Sequence, residues 1–138
     1  MNKNDKPVGI ITGGSRGVGA ATAKLLASKG WNVTITCTSS IEDANNIVKE
    51  CEELGAEALA ISADVGDNEA CIKTAKETIA KWGKIDALVN NAGTTKFVFN
   101  HGDLDGLDAD DFLHIYRINV VGPFQMVRAC RESLLDSD

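Results

Sequence analysis

Strand-like and helix-like patterns alternate along this chain from Val8 to Asn90, and that alternation leaves very few folds open to it. Val8 to Thr12 is an apolar run suited to a buried strand, and Val18, Ala21, Leu25 and Leu26 follow at helical spacing. Asn32 to Cys37 is rich in β-branched residues and reads as a second strand. Ile41, Ala44, Val48, Cys51 and Leu54 then form a helical stripe closed by Gly55, with Ser40 as N-cap and Asp43 in a capping-box-like position. Ala56 to Ser62 reads as a third strand. Ile72, Ala75, Ile79 and Trp82 mark a third helix ended by Gly83, and Ile85 to Asn90 is a fourth strand. Parallel strands joined by right-handed crossovers follow from this order. The expected class is α/β, a doubly wound parallel sheet with strands in the order 3-2-1-4.

At 138 residues the chain, 1–138, reads as one domain able to bury a real core. A formal net charge of -6 argues against nucleic acid or an anionic membrane as partner. No stretch approaches the roughly eighteen apolar residues of a membrane span. The start, M-N-K-N-D-K-P, has no apolar run behind its lysines and so does not read as a secretory signal. Cys37, Cys51, Cys71 and Cys130 are scattered without a C-x-x-C pair. They read as reduced, buried thiols of a cytoplasmic protein, with no metal site expected.

Between the first strand and its helix, residues 8–19 read V-G-I-I-T-G-G-S-R-G-V-G. Gly13 permits a tight turn, Gly17 lets bare backbone approach a pyrophosphate, and Gly19 lets the helix pack closely on the sheet. The helix N-terminus adds unpaired N–H groups and partial positive charge. The strand before the loop and the helix after it separate this from an ordinary glycine turn.

Three more features stand after the predicted strands: Asp64-Val65, Asn90-Asn91-Ala92-Gly93 and, in the last helix, Asn119. With Thr12 to Gly19 they resemble the short-chain dehydrogenase/reductase family, and the resemblance covers essentially the whole chain. It implies a Rossmann-type sheet. It also implies that Gly13, Gly14, Ser15, Arg16, Gly17, Val18 and Gly19 surround the adenosine and pyrophosphate of a dinucleotide. Asp64 would accept a hydrogen bond from the adenine amino group while Val65 packs the ring. Asn91, Ala92 and Gly93 would line the ribose, and Asn119 would anchor a water relay serving the catalytic lysine. The plainer alternatives are that Asp64 caps the helix near Asp67 and that Asn90 and Asn91 only bond the turn backbone.

Charge distinguishes the two nicotinamide coenzymes. An NAD site usually places an acid at the end of the second strand, roughly 20 residues past the glycines. Here that place reads Thr36-Cys37-Thr38-Ser39, with no acid before Glu42. Thr38, Ser39 and the Arg16 guanidinium suit a 2′-phosphate, which favours NADP(H) over NAD(H). Arg16 as a solvated surface charge is the plainer alternative.

The stretch from Thr94 to Leu107 has no period and reads as a loop at the mouth of the sheet. Its acidic run has its glycine out of place for a calcium loop and no glutamate to close it. Asp108, Asp110 and Asp111 read instead as caps for the next helix, and Pro123 predicts a kink or restart near Gly122. That helix carries Phe112, Ile115, Tyr116, Val120, Phe124, Val127, Leu134 and Leu135 on more than one face.

In the family a fifth strand bearing Ser follows, and a Tyr-x-x-x-Lys completes the site. Neither occurs here: Tyr116 is the sole tyrosine, and Val120 stands four residues after it. The sequence is therefore expected to be the cofactor-binding half of an NADP(H)-dependent reductase, inactive alone. Within the family it is most like the 3-oxoacyl-[acyl-carrier-protein] reductases, acting on a small-molecule carbonyl or acyl-carrier substrate. The alternative is a non-catalytic dinucleotide-binding or partner-binding module. The complete protein is expected to be a homo-oligomer. The fourth strand should be left as an edge, Phe124, Val127 and Leu134 or their neighbours exposed, and the C-terminal end prone to aggregation or disorder.

Overall fold

Ile10 and Ile11 are neighbours in sequence and fully buried, yet they belong to two different apolar clusters. Successive strand residues point to opposite faces, so both faces of the sheet must be covered. The computed structural model describes residues 5–137. The start of the chain, on which the secretory-signal reading rests, and Asp138 lie outside the described residues.

The elements run β1 (Val8–Ile11), α1 (Gly17–Ser28), β2 (Asn32–Cys37), α2 (Ile41–Glu53), β3 (Ala58–Ser62), α3 (Asn68–Trp82) and β4 (Ala87–Val89). A loop with one 3-10 turn at Leu104–Gly106 leads to α4 (Ala109–Tyr116), a π-helical segment (Arg117–Val121) and α5 (Gly122–Leu135). The strands are parallel in the order β3-β2-β1-β4, as the alternation predicts, and β4 is an edge. Ile11, Val33 and Ile35 pack on α1 and α2. On the other face Ile10, Ile85 and Val65 pack with Cys71 and Ala75 of α3 and with Met126 and Cys130 of α5.

The helical stripes hold in part: Ala44, Cys51, Ala75 and Trp82 are buried and Leu26 and Val48 pack on the core, but other stripe positions do not. Val18, Ala21 and Leu25 of α1 are exposed, and the buried face is Gly19, Ala20, Ala23 and Ala27. Small residues let the helix approach the strands, so close packing selects against the large apolar side chains that mark a stripe. In α2 the buried set is Ala44, Ile47 and Cys51, while Ile41 and Leu54 are exposed. In α3 Ile79 is exposed, and Thr74 and Thr78 are buried with Cys71, Ala75 and Trp82. Those threonines are tolerated because they are satisfied: Thr78 Oγ1 donates to the Thr74 carbonyl at 2.8 Å and lies 2.9 Å from Thr34 Oγ1.

The helix termini follow their sequence cues. Ser40 Oγ accepts the Asp43 N–H, Asp67 accepts the Glu69 N–H, and Gly83 closes α3 at φ 83°. Asp108 and Asp111 form a reciprocal capping box on α4. The interruption expected near Gly122 is a π-helical segment that ends there, with Gly122 N–H donating to the Arg117 carbonyl. Pro123 then sits in the first turn of α5, where its missing N–H costs least. Phe112, Leu113, Tyr116, Val120, Phe124 and Val127 are exposed, whereas Leu134 packs partly buried against the α3–α5 core.

Candidate functional site

The C-terminal ends of all the strands open at one side of the sheet, and the glycine loop forms the centre of that rim. Gly13 and Gly17 adopt the left-handed backbone, at φ 66° and 57°. Gly13 N–H donates to Thr36 Oγ1 at 3.2 Å and Gly14 N–H to the Thr36 carbonyl at 2.9 Å, so the loop is anchored to the end of β2. A Cβ on Gly19 would lie 2.2 Å from the Gly13 carbonyl oxygen, and one on Gly14 would lie 2.5 Å from Ile35 Cβ.

The α1 N-terminus differs from those of α2, α3 and α4 in that its N-cap, Arg16, supplies no side-chain acceptor. The first helical bond runs from Ala20 N–H to the Arg16 carbonyl, which places the amides of Gly17, Val18 and Gly19 ahead of the ladder. An anion held there would complete the cap and meet the positive end of the helix dipole.

A cleft of about 440 Å³ lies along this rim. Gly13, Ser15 and Arg16 line it from the loop, Thr36 to Ser39 from the end of β2, and Ala63, Asp64 and Val65 from the end of β3. Asn91 to Thr94 close it beyond β4, and His114 and Ile118 form its far wall. The expected residues therefore meet in one place, with exceptions. Gly14, Gly17, Val18 and Gly19 shape the loop and are not part of the cleft wall, the Val18 side chain is exposed, and Asn119 does not line the cleft but bonds Thr94, which does.

At the end of β2 the wall is formed by Thr36, Cys37, Thr38 and Ser39, and the glycine loop contributes Arg16. The nearest following acids, Glu42 and Asp43, are exposed in the first turn of α2. Burial, then the nearby Asp43 carboxylate, pushes the Cys37 thiol up, which keeps it protonated at neutral pH.

Asp64 does not cap α3; Asp67 does. Asp64 Oδ1 accepts the Gly66 N–H at 2.8 Å, and Oδ2 lies 3.6 Å from Arg117 Nη2. Val65 is buried beneath the cleft, its carbonyl accepting Gln125 Nε2 at 2.8 Å and Cys71 Sγ at 3.3 Å. Asn91 Nδ2 donates to the Thr12 and Gly13 carbonyls at 3.0 and 3.1 Å. Its role reaches further than its own turn, because it fastens the end of β4 to the glycine loop.

Asn119 lies in the π-helical segment and grips the Thr94 backbone with both ends of its amide. Its Oδ1 accepts the Thr94 N–H at 2.7 Å and its Nδ2 donates to the Thr94 carbonyl at 2.8 Å. Pro123 has no N–H, so the usual helical partner of the Asn119 main-chain carbonyl is missing. Thr36, Cys37, Ala63, Thr94, His114 and Ile118 were not among the expected cleft residues. Thr36, Cys37, Ala63 and Thr94 adjoin predicted positions at strand ends, a signal that could have found them. His114 and Ile118 stand four apart on a helix, with nothing local to mark them.

The glycine loop, the uncapped helix and the cleft along the strand ends suit a dinucleotide, and the comparisons with known proteins agree. The short chain dehydrogenase family matches residues 7–138. Versicolorin reductase 1 of Aspergillus parasiticus is 36% identical over 124 residues, covering 90% of this chain and 46% of that protein. Elsinochrome reductase 1 of Elsinoe fawcettii is 32% identical over 130 residues, covering 94% and 47%. The chain thus spans about half the length of the curated relatives it matches. Among solved structures, a short-chain dehydrogenase/reductase from Burkholderia xenovorans superposes with a TM-score of 0.92 at 37% identity, over 96% of this chain and 54% of that one. A metagenomic short-chain oxidoreductase in complex with NADP gives 0.84 at 30% identity, over 94% and 57%. In fold, motif order and sequence, the chain belongs to the short-chain dehydrogenase/reductase family.

Proposed function

We propose that this chain forms the NADP(H)-binding part of a reductase that acts on a ketone. The observation that carries the coenzyme choice is the end of β2, where Thr38 and Ser39 line the cleft with Arg16 and residues 36–39 include no acid of the kind that holds a ribose 2′-OH. Arg16 supplies charge-assisted bonds to a 2′-phosphate, and the hydroxyls of Thr38 and Ser39 complete its shell. The structure of the metagenomic relative with NADP supports the same choice.

In this reading the first-turn amides of α1 take the pyrophosphate, with Gly14, Gly17, Val18 and Gly19 giving the loop its shape. Asp64 accepts from the adenine amino group above Val65. Asn91, Ala92 and Gly93 border the ribose. Asn119 holds Thr94 in place and anchors the water relay of a proton path. When bound, the cofactor supplies hydride to the carbonyl carbon.

The reductase names of the relatives favour carbonyl reduction. A 3-oxoacyl thioester on a carrier protein is the substrate class of the family branch that the T-G-G-S-R-G-V-G loop and Cys37-Thr38-Ser39 resemble, though these residues bear on the cofactor rather than on the substrate. A second copy of the chain covering the apolar face of α4 and α5 fits the exposed Tyr116, Val120 and Phe124. Four buried, unpaired thiols fit a reducing compartment such as the cytoplasm.

Titration of the chain with NADPH and with NADH, followed by nicotinamide fluorescence, tests the reading. NADPH is expected to bind about tenfold more tightly, a difference of about 1.4 kcal/mol. Equal affinities, or tighter NADH, would overturn the NADP(H) assignment, and binding of neither would overturn the dinucleotide reading. Joining the chain to the C-terminal half of versicolorin reductase 1 should yield NADPH oxidation with a ketone, and a folded hybrid that binds NADPH without turnover would count against catalysis.

A further inference from the structure

Arg117 is the first residue of the π-helical segment, and it reaches across to Asp64 after β3, a contact no motif predicts. The two Asp64 oxygens are divided between partners: Oδ1 accepts the Gly66 N–H at 2.8 Å, and Oδ2 lies 3.6 Å from Arg117 Nη2. Gly66 makes that approach possible. A Cβ there would lie 2.9 Å from Arg117 Nε and 2.9 Å from Ile118 Cδ1. The turn is also fixed from beneath, where Gln125 holds the Val65 carbonyl and a Cβ on Gly122 would lie 2.6 Å from Val65 Cγ2. Its backbone is thus set, and the direction of the carboxylate is what Arg117 adds.

A half-exposed aspartate otherwise samples several rotamers, and fixing one on binding costs entropy. A carboxylate has about four acceptor positions, so Asp64 can hold Gly66 and Arg117 and still accept from a third donor. The ion pair itself is half exposed and long, a geometry that contributes little to folding stability.

We propose that Arg117 is a positioning residue, which holds the Asp64 carboxylate toward the adenine amino group and so tightens binding of either nicotinamide dinucleotide without touching it. The proposal rests on the reading of Asp64 as the adenine acceptor. Its rival on the same geometry is direct contact between the guanidinium and the cofactor's 2′-phosphate, and the two differ in what they require.

The test is a double-mutant cycle on the whole chain, with NADPH and NADH as probes. Arg117→Gln keeps an unbranched polar side chain and removes the guanidinium and its charge. It is expected to weaken both dinucleotides by about threefold, with the melting temperature of the free protein unchanged. Asp64→Ala should weaken both by more, and adding Arg117→Gln to it should then change nothing. Arg117→Lys should recover part of the loss. Weakening confined to NADPH would make Arg117 a phosphate ligand and overturn the proposal, as would a loss that persists in the Asp64→Ala background. If Asp64→Ala weakens binding while Arg117→Gln does not, the proposal alone fails. If Asp64→Ala leaves both affinities unchanged, the adenine reading fails and takes the proposal with it.

Discussion

Asn91 donates twice to Thr12: its main-chain N–H to the Thr12 hydroxyl at 3.1 Å, and its Nδ2 to the Thr12 carbonyl at 3.0 Å. The same hydroxyl accepts the Ala92 N–H at 3.0 Å. The ends of β1 and β4 are joined through this pair, and the glycine loop hangs from it. Thr12→Val keeps the shape, sets the Ala92 N–H beside a methyl group and leaves the Asn91 N–H only its bond to the Val89 carbonyl at 3.1 Å. It should destabilise the fold by roughly 1–3 kcal/mol. A chemical denaturation midpoint matching the wild type would show that the pair is not the joint described here.

Gly19 tests the loop from the other side. Its missing Cβ would sit 2.2 Å from the Gly13 carbonyl oxygen and 2.6 Å from Asn91 Nδ2, so Gly19→Ala must push the helix off the loop. A loss of at least about 2 kcal/mol is expected, together with loss of dinucleotide binding. A Cβ on Gly30 meets nothing within 4 Å, so Gly30→Ala, strained only by its φ of 87°, serves as the control in which binding persists.

What could be read in advance depended on whether a backbone requirement forces a residue type. Gly13 and Gly19, and the caps Ser40 and Asp108, were legible because few residues can occupy a left-handed turn, a backbone contact or an N-cap. The buried face of α1 was not, because its close approach to the sheet selects Gly and Ala, which carry no stripe. The cleft wall made by His114 and Ile118, and the reach of Arg117 to Asp64, depend on the π-helical segment. A change from one helical bonding pattern to another leaves no periodic trace in so short a run. Asn119 was found only through its family, since an asparagine in a helix announces nothing by itself.

The coenzyme reading makes its own demand on Thr38. Thr38→Asp places a carboxylate where a 2′-phosphate would lie and where a 2′-OH could be held. The variant should lose NADPH affinity by at least about tenfold and keep or gain affinity for NADH. Unchanged preference in a calorimetric titration would remove the end of β2 from the specificity argument.

The cysteines should be silent in the native protein. Burial pushes Cys71 to about 11 and Cys130 to about 11, with the Asp67 carboxylate adding to the first and Cys71 to the second. At pH 8 only about one thiol in a thousand of each is then thiolate, and neither is accessible. A thiol-disulfide reagent should label all four cysteines after unfolding and leave Cys71 and Cys130 unmodified before it. Rapid native labelling of either would mean that the α3–α5 interface opens.

Asp86, at the opposite end of the sheet from the cleft, should govern the acid limb of stability. Burial alone would raise its pKa, but the Val8 N–H, the Ser137 hydroxyl and the Lys84 ammonium together outweigh it and hold the carboxyl below its usual 3.8. The contacts are short: 2.7 Å from Val8 N, 2.8 Å from Ser137 Oγ and 3.2 Å from Lys84 Nζ. A folded-state pKa below the unfolded one means that the folded state releases its proton more readily. The stabilisation is therefore complete well above about pH 4 and is lost as pH falls through the lower, folded value. Asp86→Asn keeps an acceptor for Val8 and discards the charge. It should cost about 1–2 kcal/mol at pH 7 and progressively less below pH 4, until the two unfolding curves meet. A gap that stays constant from pH 7 to pH 2.5 would show that Asp86 acts by shape alone.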